Sequence, residues 1–459
     1  MKYDVAILGG GPGGYESAIR CAQLGLKTAL IEARDLGGTC LNRGCIPTKA
    51  LLHSAEIYEN AKEAENFGVS TGTVTYDYGV MAARKDTIVT SIRKSIGIMQ
   101  KKHGVEVING FGRLKDSQTI EVGEQLVKAD KIILAMGSVP SRPPIPGLDG
   151  ENILTSDEVL ALKDCPESMI IIGGGVIGIE FATLYATLGK KVTVLEMMPS
   201  ILPGVDRDMV ELISMVLETK GVEVITGAKV LSIEGGKNAK VNYSLNEIEQ
   251  SVVGGCCLVS VGRSPMTSQI GLESLGIKMN KGFIETDDRM RTNIPNIYAI
   301  GDITGKIQLA HVATAQGMIA AANCAGKNEK MNYQIIPSCI YTSPEIASVG
   351  MTEEQATKAG KNVKTGFFDV ATNGKTVVMG VQTGMVKIVT DSETGEIYGA
   401  QILAPRATDM IGEVAAIMKC EGTIEELAAT IHPHPTICEA IMEAAHDVHG
   451  LCCNAVPKK

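Results

Sequence analysis

One short design occurs twice in this chain, and it dictates much of what the chain can fold into. YDVAILGGGPGGYESAIR (3–20) and MIIIGGGVIGIEFATLYA (169–186) each run an apolar strand into a glycine cluster and then into a helical pattern. The glycines fall at Gly9, Gly11 and Gly14 in the first copy, and at Gly173, Gly175 and Gly178 in the second. Each copy is followed by a second apolar strand, KTALIE ending in Glu32 and KVTVLE ending in Glu196, at the same distance from the first glycine. Small residues let the turn tighten and let backbone N–H groups approach a pyrophosphate. The helix N-terminus adds unpaired donors and the positive end of its dipole, and the terminal carboxylate accepts ribose hydroxyls. A lone glycine triplet is a weak signal. With strand, helix and acid in order it is a strong one.

Two nucleotides are therefore expected, on two Rossmann-like α/β units. Glu196 is followed by Met197, Met198, Pro199 and Ser200, with no Arg or Lys for a 2′-phosphate, so the second copy should prefer NAD over NADP. The first copy suits FAD or a second nicotinamide.

At 459 residues the chain is too long for one core, and roughly three domains of about 150 residues are expected. A net charge of −9 without basic runs argues against nucleic acid or an anionic membrane as partner. The absence of Trp disfavours stacking platforms for single strands. The apolar stretch from Met169 carries Glu180 and a glycine cluster, which suits a nucleotide turn and not a membrane span. Twelve cysteines in a chain this long do not resemble a secreted disulfide framework, and a reducing compartment fits better. MKYDVAILGG reads as a strand from Lys2, with no basic leader before it, so a cytoplasmic location is expected.

GGTCLNRGCIPTK (37–49) sets Cys40 and Cys45 five residues apart. A zinc site wants about four ligands, commonly in CxxC pairs. A static disulfide is out of place in a reducing compartment. A dithiol that cycles is the reading that remains. In a straight helix, residues five apart have Cα atoms roughly 8.7 Å apart, whereas a disulfide wants about 4.4–6.8 Å. The segment should therefore not be regular helix throughout. Gly44 is the natural break, and Pro47 suits the first turn of a helix after it. A nicotinamide delivers hydride, which a disulfide accepts poorly. A flavin converts between the two, so FAD is expected in the first site.

The thiol segment resembles that of the flavin-dependent pyridine nucleotide-disulfide oxidoreductases, and most nearly their dihydrolipoamide dehydrogenase branch. ILPGVD (201–206), VGRSP (261–265), IYAIGDITGKIQLAHVATAQG (297–317), CIYTSPEIASVGMTEEQA (339–356) and HPHPTICEA (432–440) match family segments too, so the likeness spans nearly the whole chain. It implies an α/β architecture with the NAD domain inserted in the FAD domain, plus a C-terminal α+β dimerisation domain. The corresponding ranges are 1–141 and 264–335 for FAD, 142–263 for NAD, and 336–459 for the interface.

The implied activity is oxidation of dihydrolipoamide by NAD+ through a Cys40–Cys45 redox disulfide and one non-covalent FAD per subunit. Cys40 would exchange with substrate sulfur and Cys45 would face the flavin. Lys49 would lie near the flavin and pair with Glu180 near the nicotinamide. Gly137, Gly301, Asp302, Leu309, Ala310 and His311 would join Gly9, Gly11, Gly14 and Glu32 around FAD, with His311 serving through its backbone. Gly262 and Arg263 would sit against NAD or the domain seam, beside the set Gly173, Gly175, Gly178 and Glu196. His434, on its own a loop histidine between two prolines, would be the acid–base residue, oriented by Glu439 and supplied across a homodimer. His432 would be a bystander. No metal is implied. No lipoyl-bearing stretch precedes MKYD, so a lipoyl carrier protein or domain of a 2-oxo-acid dehydrogenase or glycine-cleavage complex is expected on a separate chain.

Two positions depart from the family pattern: Met136 where a small hydroxyl residue is usual, and Pro433 where a small residue is commoner. The tail HDVHGLCCNAVPKK gathers His446, His449, Cys452 and Cys453. Its vicinal thiols resemble the tails of mercuric reductase and large thioredoxin reductases. That keeps a second reading open, a disulfide or metal reductase working through Cys452 and Cys453. A third is a non-catalytic flavin-binding subunit of a complex.

Overall fold

The computed structural model describes residues 2–455; Met1 and 456–459, the outermost residues of the expected FAD and interface domains, lie outside them. The chain forms two compact units. One comprises 2–143, 154–165 and 261–332, and the other 144–153, 166–260 and 333–455.

In the first unit the strand Lys2–Leu8 is central and wholly buried from Val5 onward. Thr28–Glu32 and Gln125–Leu134 flank it in parallel, Val5 pairing with Thr28 and with Lys131. Glu106–Asn109 and Ile297–Ala299 extend the parallel part. Thr119–Val122 and Gly112–Asp116 continue from Gln125–Leu134 as an antiparallel edge. Ala6 and Leu8 lie on the same sheet face as their partners Ala29, Ile31, Ile132 and Leu134 in the core, and Val5 and Ile7 are buried as well, the mark of a strand covered on both sides. Met136 packs partly buried against this core, so the departure from the family pattern is absorbed as apolar contact.

Two helices of this unit approach closely. A Cβ on Gly13 in Pro12–Gln23 would fall 2.9 Å from the Ala313 carbonyl, and one on Gly317 in Ala310–Cys324 would fall 2.7 Å from the Gly13 carbonyl. Only glycine fits there, and this sets the start of the first helix against the first half of the second.

The second unit repeats the βαβ device. Ser168–Ile172 is paired in parallel with Lys191–Glu196 and Cys256–Val259, and Val222–Thr226 lies beyond Lys191–Glu196. The helix Val176–Thr187 is buried from Gly178 to Thr187, which explains its uniformly apolar sequence. Its C-terminal part is a five-stranded antiparallel sheet with Ser338–Ile340 and Val363–Asp369 at the edges. The helices Ala407–Lys419 and Glu439–Val448 pack on that sheet around Val386, Ile388, Ile402 and Ile441. No helix among the described residues is long and apolar enough to cross a membrane.

Candidate functional site

The two glycine turns have the same geometry. Gly11 caps the helix Pro12–Gln23 and Gly175 caps Val176–Thr187, and neither helix has a side-chain cap on its first amides. Glu32 accepts the Gly10 N–H at 2.6 Å and the Arg34 N–H at 2.7 Å. Glu196 repeats this with Gly174 N–H at 2.6 Å and Met198 N–H at 2.7 Å. A Cβ on Gly175 would meet nothing within 4 Å, and one on Gly11 would meet only the Gly38 Cα at 3.9 Å. Uncapped donors thus face open space, and each carboxylate oxygen keeps a lone pair for a ribose hydroxyl. Both sites fit a dinucleotide on these grounds.

The third glycine of each turn is held by contact with the first. A Cβ on Gly14 would lie 1.8 Å from the Gly9 carbonyl oxygen, and one on Gly178 would lie 2.0 Å from that of Gly173. These neighbours are backbone and cannot swing away. Gly14→Ala should therefore yield protein lacking its flavin absorbance. Gly178→Ala should keep the flavin and raise KM for the nicotinamide by at least roughly tenfold, the equivalent of about 1.4 kcal/mol. Absorbance spectra and steady-state kinetics of the two variants check this.

Further first-unit residues gather around Asp302. Gly301 donates its N–H to Gln316 Oε1 at 2.6 Å. Ser138, next to Gly137, donates its hydroxyl to Asp302. Arg263 donates to the Ser138 hydroxyl and carbonyl, both at 2.7 Å, and stands 4.0 Å from Asp302. Gly262 and Arg263 thus lie in the unit that carries the first turn, not in the unit of Gly173–Glu196. Leu309 caps Ala310–Cys324 without a side-chain bond, and Ala310 and His311 form the first turn of that helix.

The thiol segment breaks at Gly44. Gly38–Arg43 is one helix and Cys45–Glu63 the next, with Gly44 between them at φ −150° and ψ −114°. Pro47 lies in the first turn of the second helix, and the Thr48 hydroxyl donates to the Gly44 carbonyl at 2.7 Å. Cys40 is half-buried and Cys45 exposed, and both are thiols here. A hydrogen bond shared with Cys45 raises the Cys40 pKa well above the ordinary thiol value. Burial and Cys45's charge add to the rise, against the pull of Lys49. The segment is held by partners that no motif announced. Asn42 donates to the Leu36 and Gly38 carbonyls at 3.0 and 2.9 Å, and Arg93 of the helix Tyr78–Lys102 donates to Asn42 at 3.0 Å and pairs with Asp35 at 2.9 Å.

In the second unit Glu180 is buried, and its Oε1 accepts the Tyr341 N–H at 3.0 Å. His434 Nδ1 lies 2.8 Å from Glu439 Oε1, and the ring is 77% exposed. Glu439 opens the helix Glu439–Val448, and its second oxygen accepts the Thr436 N–H at 2.7 Å. Burial works to raise the Glu439 pKa, but the Thr436 N–H and His434 outweigh it and hold the carboxyl below its usual range. Thr436 donates its hydroxyl to the Pro433 carbonyl at 2.8 Å, so Pro433 keeps the loop's bonding intact. His432 points elsewhere, bound to the Thr430 carbonyl and to Glu413, with its side chain 4% exposed.

The tail does not gather its four residues. Cys452 donates to Glu443 at 3.0 Å, and burial together with that bond pushes its pKa up to about 11. His449 pairs with Glu425 at 2.9 Å, and Cys453 is exposed. Among the described residues no group of three or more His, Cys, Asp or Glu side chains is arranged to hold a metal.

Residues 3–317 match the pyridine nucleotide-disulphide oxidoreductase family model, and 336–445 match that family's dimerisation domain. A dihydrolipoyl dehydrogenase of Bacillus subtilis is 43% identical, with 98% of each chain covered. One from Chlamydia muridarum is 44% identical over 96% of each. Among solved structures, LpdA of Mycobacterium tuberculosis superposes with a TM-score of 0.90 at 29% identity, covering 97% of this chain and 99% of that one. The HOCl-induced flavoprotein disulfide reductase RclA of Escherichia coli gives 0.87 at 30%, covering 96% and 99%.

Proposed function

The chain belongs to the pyridine nucleotide-disulphide oxidoreductase family, and we propose that it is the dihydrolipoyl dehydrogenase of a lipoyl-dependent complex, oxidising protein-bound dihydrolipoamide with NAD+. The observation that carries this choice within the family is the His434–Glu439 pair, 2.8 Å apart on an exposed loop, because a dithiol substrate needs a base to become a nucleophile.

His434 takes a proton from one substrate thiol, and Glu439 stabilises the charged ring. The substrate thiolate attacks Cys40 of the oxidised Cys40–Cys45 pair, breaking the enzyme disulfide and releasing Cys45 as thiolate. The second substrate thiol then displaces Cys40, so lipoamide leaves oxidised and the enzyme pair is reduced. FAD, held by Gly9, Gly11, Gly14, Glu32, Gly137, Gly301, Asp302 and the Leu309–His311 backbone, supplies the passage of the electron pair from the thiols to NAD+. Lys49 and Glu180 set the charge around the exchange. Gly173, Gly175, Gly178 and Glu196 hold NAD+.

The same reading divides the chain into FAD-binding segments 1–141 and 264–335, an NAD-binding domain 142–263 and an interface domain 336–459. The protein works as a cytoplasmic homodimer in which His434 of one protomer serves the thiol pair of the other, and its lipoyl carrier is a separate chain.

The test is NADH formation from dihydrolipoamide and NAD+ with excess FAD, in the parent and in Cys452→Ser/Cys453→Ser. Fast turnover is expected in both, within about twofold of each other, as for substitutions away from the chemistry. The raised pKa of Cys452 already makes it a poor nucleophile. A flavin-loaded parent that NADH reduces but dihydrolipoamide does not would overturn the proposal.

A further inference from the structure

Lys387 is a buried cation that the chemistry above does not use. It lies mid-strand in Met385–Asp391, and its side chain is 10% exposed. Its Nζ reaches Asp208 at 2.7 Å, Glu353 at 2.8 Å and Asp206 at 3.3 Å. Burial pulls its pKa down, but the bonds to Asp208 and Glu353 and the charge of Asp206 hold it above the ordinary lysine value. The cation is therefore present throughout the neutral range.

The three carboxylates come from distant parts of the chain. Glu353 is the first residue of the helix Glu353–Lys358. Asp206 caps the helix Arg207–Thr219, accepting the Asp208 N–H at 3.1 Å, and its side chain is 4% exposed. Asp206 also ends the segment that begins beside Glu196. Along that segment Val205 N–H donates to the Leu202 carbonyl at 3.1 Å, and Leu202 N–H donates to the Gly174 carbonyl at 2.8 Å. Ile201 is buried, its Cγ2 2.7 Å from where a Gly174 Cβ would stand. One continuous stretch thus runs from the second glycine turn to Lys387.

We propose that Lys387 is a positioning residue for the nicotinamide nucleotide: it anchors residues 197–206 and, through them, the Gly174 turn and Glu196. This rests on the reading that the second turn binds NAD+. Without the cation, Asp206, 4% exposed, is left as an uncompensated buried charge beside the half-exposed Asp208 and Glu353. Asp208 and Glu353 can turn to solvent as side chains, whereas Asp206 reaches water only by shifting its backbone, which draws residues 197–206 away and takes Leu202 from Gly174.

The experiment compares flavin-loaded parent, Lys387→Met and Lys387→Arg. Lys387→Met is expected to raise KM for NAD+ roughly tenfold, as for a coupled residue remote from the ligand, with flavin content and KM for dihydrolipoamide unchanged. Lys387→Arg should restore it. In nucleotide-free protein, hydrogen exchange at the Leu202 amide should quicken in Lys387→Met and return in Lys387→Arg. Should Lys387→Met not yield folded holoenzyme, Lys387→Gln, which removes the cation and keeps a single polar head, carries the same expectations. An unchanged KM for NAD+, an equal rise in both KM values, or unaltered exchange at Leu202 would overturn the inference. Because the exchange needs no nucleotide, it decides the anchor even where parent kinetics refute NAD+ as the acceptor.

Discussion

Cys45→Ser is expected to lower NADH formation from dihydrolipoamide at least about a thousandfold, roughly 4 kcal/mol of barrier, in protein that keeps its flavin. Serine forms no disulfide, so the variant retains a thiol at Cys40 but no partner to release when substrate attacks. Cys45 is exposed at the start of the helix Cys45–Glu63, and its loss removes no core contact. A collapse of activity would then not be a collapse of the fold. The pKa of Cys40 supplies an independent readout. Its rise is caused first by the hydrogen bond shared with Cys45. A serine hydroxyl in that place donates to a Cys40 thiolate and carries no competing charge. Lys49 still favours the thiolate. The sign is therefore downward, and alkylation of Cys40 near neutral pH should be faster in Cys45→Ser than in the reduced parent. Retention of substantial turnover would rule out the thiol pair as the route of electrons. Alkylation slower than in the parent would show that the pair's hydrogen bond does not control Cys40.

The features legible in the sequence were those that the backbone enforces locally. The spacing of Cys40 and Cys45 demanded a break in the helix, and the chain breaks at Gly44. The glycine triplets demanded a tight turn, and Gly14 and Gly178 stand where any Cβ would strike backbone. His434 and Glu439 are five residues apart, close enough for a loop and one helix start to join them. Long-range partner choice was not legible. Nothing in the strand MVKIVTD says that Lys387 meets carboxylates some 180 positions earlier in the chain. Nothing in CLNRGC says that Arg93 grips Asn42 and Asp35. A charged residue reads as a solvated face until its neighbours are known, and periodicity carries no record of which charge lies opposite. The Gly13–Gly317 helix approach was hidden for a related reason, since two glycines on different helices make a signal only when the helices are seen to cross.

His434→Gln should reduce dihydrolipoamide-driven turnover about 10²- to 10⁴-fold, the usual range for a lost acid–base group. Electron transfer from NADH to an artificial acceptor should persist, because that route needs no proton from a substrate thiol. Glutamine keeps a hydrogen-bond donor for Glu439 but cannot take up a proton. The 77% exposed ring also contributes little packing, so thermal stability should barely change. Glu439→Gln is the finer probe. The carboxyl is held below its usual range by the Thr436 N–H and His434, against burial, so it stays ionised wherever the enzyme turns over. Its charge stabilises the protonated imidazole. Removing the charge leaves the ring that takes the substrate proton without its carboxylate, so kcat for dihydrolipoamide should fall while the rate with the artificial acceptor holds. The same depressed carboxyl adds stability above its ordinary titration near 4.5 and loses it as the pH drops through the folded value. Glu439→Gln should thus lose part of the parent's stability at neutral pH and be less sensitive to acid. A His434→Gln enzyme that slowed the artificial acceptor as much as dihydrolipoamide would place the residue in flavin or nicotinamide binding, and the proton would have to be taken by another group.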